Sequence, residues 1–249
     1  MTSTNPRSGS DREVTLVDLA AILVQRRLVF VLTFLVVVAL GVAYALTTPE
    51  KYEYVSLVQM AEDSEGQPVE SASSSIVAIE SYWFPAVEAR YQEEAGKLLP
   101  FPVSASSPRN TSLIRIESLA RRDYSELVNE VHSDLIDELT AAQNEKLQSI
   151  RGRLERQLRA TDQILEELRA EDGQGQAVAE AVGQKVELEG QLERQSSSVV
   201  IATARESVRK MKPNVPLIVM VSVALGVVLA MIAAFLAEFG SLVRTRLRD

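Results

Sequence analysis

Residues 28–46 have the sequence LVFVLTFLVVVALGVAYAL, and residues 216–237 have the sequence PLIVMVSVALGVVLAMIAAFLA. Neither stretch contains a charged side chain. At ~1.5 Å per helical residue, each is long enough to cross a hydrocarbon core of ~30 Å. Both exceed the usual length of a buried core helix. The sequence therefore predicts two transmembrane helices, and so a membrane protein.

The charges beside the two spans predict the orientation of the chain. Arginines lie on the terminal side of both spans: Arg26, Arg27, Arg244, Arg246 and Arg248. Because such residues favour the cytoplasm, we expect segments 1–27 and 238–249 to be cytoplasmic and the region between the spans to be extracytoplasmic. Within the first segment, residues 1–12 have a disordered composition and residues 14–24 have the apolar spacing of an interfacial helix.

A cleaved signal peptide is the alternative for the first span. Ala43-Tyr44-Ala45 has the small-x-small form of a cleavage site. The apolar run is long, however, and the segment before it contains acidic residues, which favours an uncleaved anchor.

Composition excludes several classes of function. The chain has 26 basic and 34 acidic residues, a net charge of −8, which argues against a nucleic-acid partner. It contains no cysteine and one histidine, His132, and it lacks the G-x-x-x-x-G-K-[ST] phosphate loop. We therefore expect no cofactor, no metal site and no catalytic residues.

The region after the first span predicts a small α/β base at 47–122. Residues 52–60 (YEYVSLVQM) and 112–120 (SLIRIESLA) have strand composition and alternation. Residues 76–99 have helical character, with Pro85 placed to kink or split the helix.

A long helical hairpin is predicted at 123–198. Residues 124–171 contain no proline and a single glycine, Gly152, whereas DGQGQ at 172–176 should end the helix. A weaker helix follows over 178–195. The return segment, 199–215, begins with a predicted strand at 199–204.

The long helix carries an apolar stripe with the period of a coiled coil. Its six steps between positions 147 and 168 average 3.5 residues. We expect the stripe to pack against neighbouring helices, and its leucines to be assembly residues: Leu147, Leu154, Leu158, Leu165 and Leu168.

Small residues recur every four positions on the second span. They are Ser222, Gly226, Ala230 and Ala234. Gly41 and Ala45 have the same spacing on the first span. Small residues allow close helix approach in lipid, so we expect this stripe to join the two helices. The alternative is that glycine and alanine are simply common in such spans.

The remaining chemical candidates have ordinary explanations. Carboxylate pairs such as Asp137/Glu138 and Glu166/Glu167 are typical of a solvated helix face. His132 lies on an acidic stretch, which predicts a surface or interface side chain. The aromatic cluster at 82–85 (YWFP) could stack a sugar ring, but a core anchor is the commoner role.

Charge is segregated along the long helix. Residues 123–145 contain seven acidic and no basic side chains, whereas residues 146–159 contain five basic side chains and one acidic. Two interpretations fit this pattern equally well. One is a solvated helix with separated charge blocks, and the other is charge-matched packing of neighbouring helices or a path for an acidic polymer.

Four motifs follow one another along the chain: VTLVDL at 14–19, Arg26-Arg27, YEYVSLVQM after the first span, and KPNVPLIV at 212–219 followed by Gly226. In this order they resemble the Wzz family of bacterial polysaccharide co-polymerases, the chain length determinant proteins. Pro213 and Pro216 match the family's proline-rich approach to the second span. The chain departs from the family pattern at Ala230, where a second glycine is usual.

The resemblance implies an α+β membrane protein of the bacterial inner membrane. Two transmembrane helices would flank a periplasmic α/β base domain with a long coiled-coil-like helical hairpin, and the subunits would form a homo-oligomeric ring. The function implied is non-enzymatic control of the length of an O-antigen or similar glycan, made on lipid-linked repeats by a Wzy-type polymerase. The absent phosphate loop separates the chain from members with a cytoplasmic kinase domain.

Three other functions are left open. A capsule-export accessory protein coupled to an ABC transporter has similar architecture. A two-span sensor would need a cytoplasmic output partner, and a membrane-bound hydrolase would need a catalytic set that the residues do not suggest.

Overall fold

The computed structural model describes residues 24–170 and 175–246, with side chains as far as 241. The segment expected to be disordered, 1–12, lies outside the described residues, as does nearly all of the predicted interfacial helix at 14–24. The chain divides into two compact units, Met1–Pro49 with Lys212–Asp249, and Glu50–Met211.

Helices and strands alternate along the described chain. The helices are α1 (Arg27–Thr47), α2 (Ala72–Ala78), α3 (Phe84–Ala95), α4 (Ser125–Ala170), α5 (Gly175–Glu193) and α6 (Val215–Arg246). The strands are β1 (Tyr52–Gln59), β2 (Val103–Ser106), β3 (Leu113–Ala120) and β4 (Val199–Glu206).

The first unit contains the two apolar helices. By length and composition, Arg27–Thr47 and the part Val215–Ser241 of α6 could each cross a membrane. These helices coincide with the predicted spans. The chain thus has the expected α+β organisation, with a mixed helix–sheet region between two apolar helices and a long helical hairpin within that region.

The second unit is built on a four-stranded antiparallel sheet in the order β2-β3-β1-β4. Alternate side chains of β1 and β3 are buried on one face, which the first turns of α4 cover. The core includes Tyr54, Val58, Ile114, Ile116 and Leu135. Every second residue of the strands and one face of α4 therefore contribute to the same core.

The strand β2 was not predicted. Residues 100–108 contain three prolines, Pro100, Pro102 and Pro108, and no element was predicted there. The structure places Pro102 immediately before β2 and Pro108 after it, and β2 forms an edge of the sheet. Proline is tolerated at such positions because it removes no hydrogen bond from the sheet interior.

The helix predicted at 76–99 begins and ends earlier, as the continuous α2–α3 segment Ala72–Ala95. A π-helical turn, Ile79–Trp83, joins its two parts, and the Phe84 amide bonds the Ile79 carbonyl five residues back. Pro85 therefore sits in the first turn of α3, where its missing donor costs little. Gly96 ends the helix at a φ of 67°, a left-handed conformation that suits glycine.

The hairpin matches its predicted position, with α4 and α5 in place of 124–171 and 178–195. Most of the predicted break at 172–176 lies outside the described residues. The strand β4 extends two residues beyond the predicted 199–204. Its pairing with β1 is irregular between Val55 and Val58, and Ala204 has a positive φ of 42°.

Candidate functional site

The seam between α1 and α6 is formed by small residues. A Cβ added to Gly41 would lie 1.9 Å from the Ser222 hydroxyl oxygen, and one added to Gly226 would lie 3.1 Å from the Phe34 ring. Ala230 is fully buried, as is Ala234 one turn later. The helices therefore approach closely where side chains are smallest, the geometry expected for association in lipid.

An ion pair closes one end of this seam. The Arg26 Nε donates to a carboxylate oxygen of Glu238 at 2.9 Å, and the Glu238 side chain is only 19% exposed. The sequence analysis used Arg26 as a topology marker and did not consider Glu238. Because the pair joins residues 212 positions apart, it fixes how α1 and α6 are aligned.

The two prolines that contribute to the resemblance lie just before α6 and in its first turn. The Lys212–Pro213 peptide is cis, and Pro216 is the second residue of α6. Proline has no backbone N–H, but the N–H groups in the first turn of a helix have no acceptor within the helix, so Pro216 costs no helical hydrogen bond. A role of Pro213 and Pro216 in assembly remains a prediction.

Part of the leucine stripe is buried within the single chain. Leu147 and Leu165 are buried, and so are Ala181 and Leu188 on α5. Lys185 of α5 bonds a carboxylate oxygen of Asp162 at 2.7 Å, which raises the pKa of Lys185. One chain thus already supplies one neighbouring helix for the stripe.

The other predicted stripe leucines are less covered. Leu154, Leu158 and Leu168 are half-buried in the single chain. Nearby apolar side chains are exposed on the hairpin, namely Ile164, Val182 and Val186. Packing of this surface against other subunits remains a prediction.

His132 is buried, and the prediction of a surface or interface histidine is wrong. It lies on the face of α4 that covers the sheet, where the side chains of Ser56 and Ser118 are also buried. The imidazole is hydrogen-bonded on both sides, Nδ1 to the Ser56 hydroxyl and Nε2 to the Ser118 hydroxyl, each at 2.8 Å. The acidic sequence neighbours of His132 lie on the opposite face of α4, so they do not indicate that the histidine is exposed.

Burial controls the ionisation of this ring. Removal from water disfavours the charged imidazolium, which lowers the pKa of His132 to about 4. At neutral pH the ring is uncharged, so one nitrogen donates and the other accepts. Ser56 also accepts the Ala204 amide at 2.7 Å. His132 is therefore a structural link between α4, β1, β3 and β4, with no access for a substrate.

Some of the segregated charges on α4 find partners within the chain. Asp134 pairs with Arg90 of α3, and Lys146 pairs with Glu70 at 2.5 Å. Asp137 and Glu138 are exposed, and within the described residues neither forms an ion pair. The charge blocks therefore serve partly to hold α4 against the base.

Arg122 makes a cluster that the sequence analysis did not find. Its guanidinium bonds Glu206 at 2.6 Å and lies 4.3 Å from the centre of the Tyr52 ring. Glu206 also accepts the Tyr54 hydroxyl at 3.3 Å. Burial, followed by the nearby Glu206 charge, raises the pKa of Tyr54. The cluster ties the end of β4 to β1 through residues distant in sequence, which no local motif could reveal.

Comparison with protein families finds a match in the first third of the chain. Residues 12–89 match the family model described as "Wzz: Chain length determinant protein". The resemblance to the Wzz family is confirmed over these residues. The matched Wzz segment includes the first apolar helix, β1, α2 and the start of α3.

Two solved structures are similar to this chain at low sequence identity. A "full-length bacterial polysaccharide co-polymerase" is 13% identical, with a TM-score of 0.47, over 93% of this chain and 99% of that one. A fragment of WzzB, a polysaccharide co-polymerase from Salmonella Typhimurium, is 9% identical, with a TM-score of 0.30, over 66% of this chain and 100% of that one. The search of curated proteins gives no match.

Proposed function

We propose that the protein is a non-enzymatic regulator of chain length in the polymerisation of a lipid-linked surface polysaccharide, an O-antigen or a similar glycan. The observation that carries the proposal is the match of residues 12–89 to the chain length determinant family. The arrangement of one mixed helix–sheet region between two apolar helices supports it.

In this proposal the protein spans the bacterial inner membrane. Segments 1–27 and 238–249 are cytoplasmic, α1 and α6 cross the bilayer, and the base and hairpin are periplasmic. Arginines flank both spans on the side of the chain termini, and the positive-inside rule places that side in the cytoplasm. Exposed apolar side chains cover much of both helices, as a lipid-facing surface requires.

Subunits form a ring in this proposal. The hairpin surface of Ile164, Val182 and Val186 supports lateral contacts, because exposed apolar side chains of this size favour burial. The edge strand β4 adds three exposed apolar residues, Val199, Val200 and Ile201. An uncovered apolar edge strand is a pairing surface, so a second subunit would stabilise it.

The chemistry of polymerisation belongs to a Wzy-type polymerase in this proposal, and the present chain acts on the length of its product. The sequence offers no cysteine nucleophile, and the single histidine is buried between two serines. General acid–base catalysis needs a titrating group within reach of substrate. A regulatory role needs none.

A deletion strain tests the proposal. Surface polysaccharide from wild-type, deletion and complemented strains is separated as a ladder on a gel. We expect the deletion to abolish the modal length while shorter and random chains persist, and complementation to restore it. Intracellular accumulation of full-length polymer would instead identify an export accessory protein, and an unchanged ladder would contradict a role in chain length.

A further inference from the structure

An open groove of about 350 Å³ lies between the α2–α3 segment and α4. One wall carries Tyr82, Ala86 and Arg90 at intervals of four residues, with Trp83 beside them. The other wall carries Asp134, Asp137 and Glu138, at intervals of three and four residues from Asp134. Such spacings place each set on one face of its helix, so the two faces form opposite sides of the groove.

Core packing accounts for only part of this aromatic cluster. Trp83 and Phe84 pack against the hydrophobic core, as the sequence analysis expected for the cluster. Tyr82, in contrast, is 72% exposed at the groove. The π-helical turn that contains both Tyr82 and Trp83 is a feature often found at functional sites. Tyr82 therefore presents an aromatic ring that the fold itself does not use.

The polar groups of the groove are suited to hydroxyl groups. Asp137 and Glu138 are exposed and form no ion pair within the described residues, so their oxygens are available as acceptors. Arg90 bonds Asp134, but a guanidinium has five N–H donors and keeps others free. A sugar ring carries hydroxyls that donate to carboxylates and accept from guanidinium, and its C–H face packs on aromatic rings.

The charge of the groove selects among glycans. Three carboxylates face one guanidinium, so the lining has a net charge of −2 (one positive and three negative groups). Acidic sugars and phosphates would be repelled by this lining. The volume is near the lower end of ligand pockets, which are about 300–1,000 Å³.

We propose that this groove binds uncharged sugar residues of the glycan, with Tyr82 and Trp83 as the aromatic platform and Asp137 and Glu138 as hydroxyl acceptors. The proposal rests on the proposed function for the origin of the sugar. It adds a binding site on the helical side of the base for the polymer whose length is regulated.

Trp83 is the only tryptophan of the chain, so its fluorescence reports directly on the groove. The full-length protein in nanodiscs is titrated with oligosaccharides released from the surface polysaccharide of the host strain, and with oligogalacturonate as an anionic comparator. We expect a saturable change in Trp83 emission with any uncharged oligosaccharide fraction and no change with oligogalacturonate.

Variants locate the site. Tyr82→Ala and the double variant Asp137→Ala/Glu138→Ala should each weaken binding about tenfold or more, which corresponds to about 1.4 kcal/mol, because the first removes the exposed ring and the second removes both hydroxyl acceptors. Glu93→Gln removes an exposed carboxylate of α3 outside the groove and should bind as the unaltered protein does. Equal thermal unfolding of all variants controls for folding.

Three results would overturn the inference. The first is absence of binding by the unaltered protein, and the second is binding by the groove variants equal to that of Glu93→Gln. The third is a change of oligomer size in Tyr82→Ala with sugar binding intact, which would identify the groove as a contact between subunits. If the deletion strain also loses its modal length, failure of binding rejects the groove alone and leaves the proposed function standing.

Discussion

The hydroxyl oxygen of Ser56 lies 2.8 Å from Nδ1 of His132, although the two residues are 76 positions apart. The same oxygen accepts the amide of Ala204 at 2.7 Å. One serine of β1 therefore joins the long helix α4 to the irregular part of β4. This buried polar contact holds the first turns of α4 against the sheet.

Lowering the pH should destabilise the base through His132. The unfolded ring binds a proton below its usual pKa of 6.5, whereas in the folded protein the pKa is about 4. The unfolded state therefore binds more protons between these values, so the free energy of unfolding falls as the pH drops from 6.5 towards 4. The full loss is about 3 kcal/mol. It is measured by denaturant unfolding of the full-length protein in detergent, followed by Trp83 fluorescence.

The variant His132→Gln separates this effect from titrating carboxylates. It is uncharged at every pH, so its unfolding free energy should depend less on pH in that window than the unaltered protein's. Identical pH dependence of the two proteins would show that His132 does not titrate as the buried geometry requires.

Ser56→Ala should destabilise the protein more than Ser118→Ala. Ser56 has two partners, His132 and the Ala204 amide, whereas the hydrogen bond of Ser118 is to His132. Each buried group left without a partner costs about 1–3 kcal/mol. Chemical denaturation of both variants measures the difference, and an equal or reversed order would contradict the network.

Leu154→Asp with Leu158→Asp should disrupt assembly and shift polymer length, while the chain itself still folds. Both side chains are half-buried in one chain, so a charge there acts mainly where a second helix would cover it. Leu147→Asp with Leu165→Asp should instead destabilise the folded chain itself, because both side chains are buried within a single chain. Oligomer mass and the polysaccharide ladder distinguish the two pairs.

The exposed site Gln163 supplies the matched control for these variants. Gln163→Asp introduces a single carboxylate at an exposed position of the same helix and should leave both oligomer mass and ladder unchanged. Normal assembly and normal length in the Leu154/Leu158 variant would reject the assembly role of the stripe.

Gly226→Leu with Ala230→Leu should separate α1 from α6. A Cβ added to Gly226 would lie 3.1 Å from the Phe34 ring and Ala230 is fully buried, so a larger side chain at either position forces the helices apart. The chain has no cysteine, so the pair Arg26→Cys and Glu238→Cys, at the sites of the ion pair, can report the approach of the two helices through a bifunctional thiol crosslinker. We expect several-fold less crosslinking in the stripe variant.

Val227→Leu is the off-stripe control for the span variants. Val227 is 37% exposed on α6, and its replacement should keep the crosslink and the ladder of the unaltered protein. Equal crosslinking in stripe and off-stripe variants would leave the small residues without a role in the seam.

Features governed by local periodicity could be predicted from the sequence. The uncharged runs, the alternation in β1 and β3, and the 3.5-residue spacing of α4 each depend on residues near in sequence. The boundary of the π-helical turn could not be predicted, because Pro85 indicates only that a regular helix is interrupted. Strand β2 has four residues, too few for alternation to be visible.

Contacts between distant residues account for the other failures. His132 has acidic sequence neighbours on α4, but its burial is decided by Ser56 and Ser118 on strands that pair beneath it. Glu238 and Glu206 acquire partners, Arg26 and Arg122, only after the chain folds. The two aromatic residues of the groove are adjacent in the sequence and form a recognisable cluster. The carboxylates opposite them lie about fifty positions further along the chain, so the sequence does not show that the two sets are neighbours.

Polymerisation reconstituted in proteoliposomes tests the central claim most directly. A purified Wzy-type polymerase from the same host is supplied with lipid-linked repeats, with and without the full-length protein, and the product lengths are resolved on a gel. The account predicts that the protein alone forms no polymer, that the polymerase alone gives a broad distribution of lengths, and that the two together give a distinct modal length. An unchanged length distribution on adding the protein, or polymer formed by the protein alone, would contradict it.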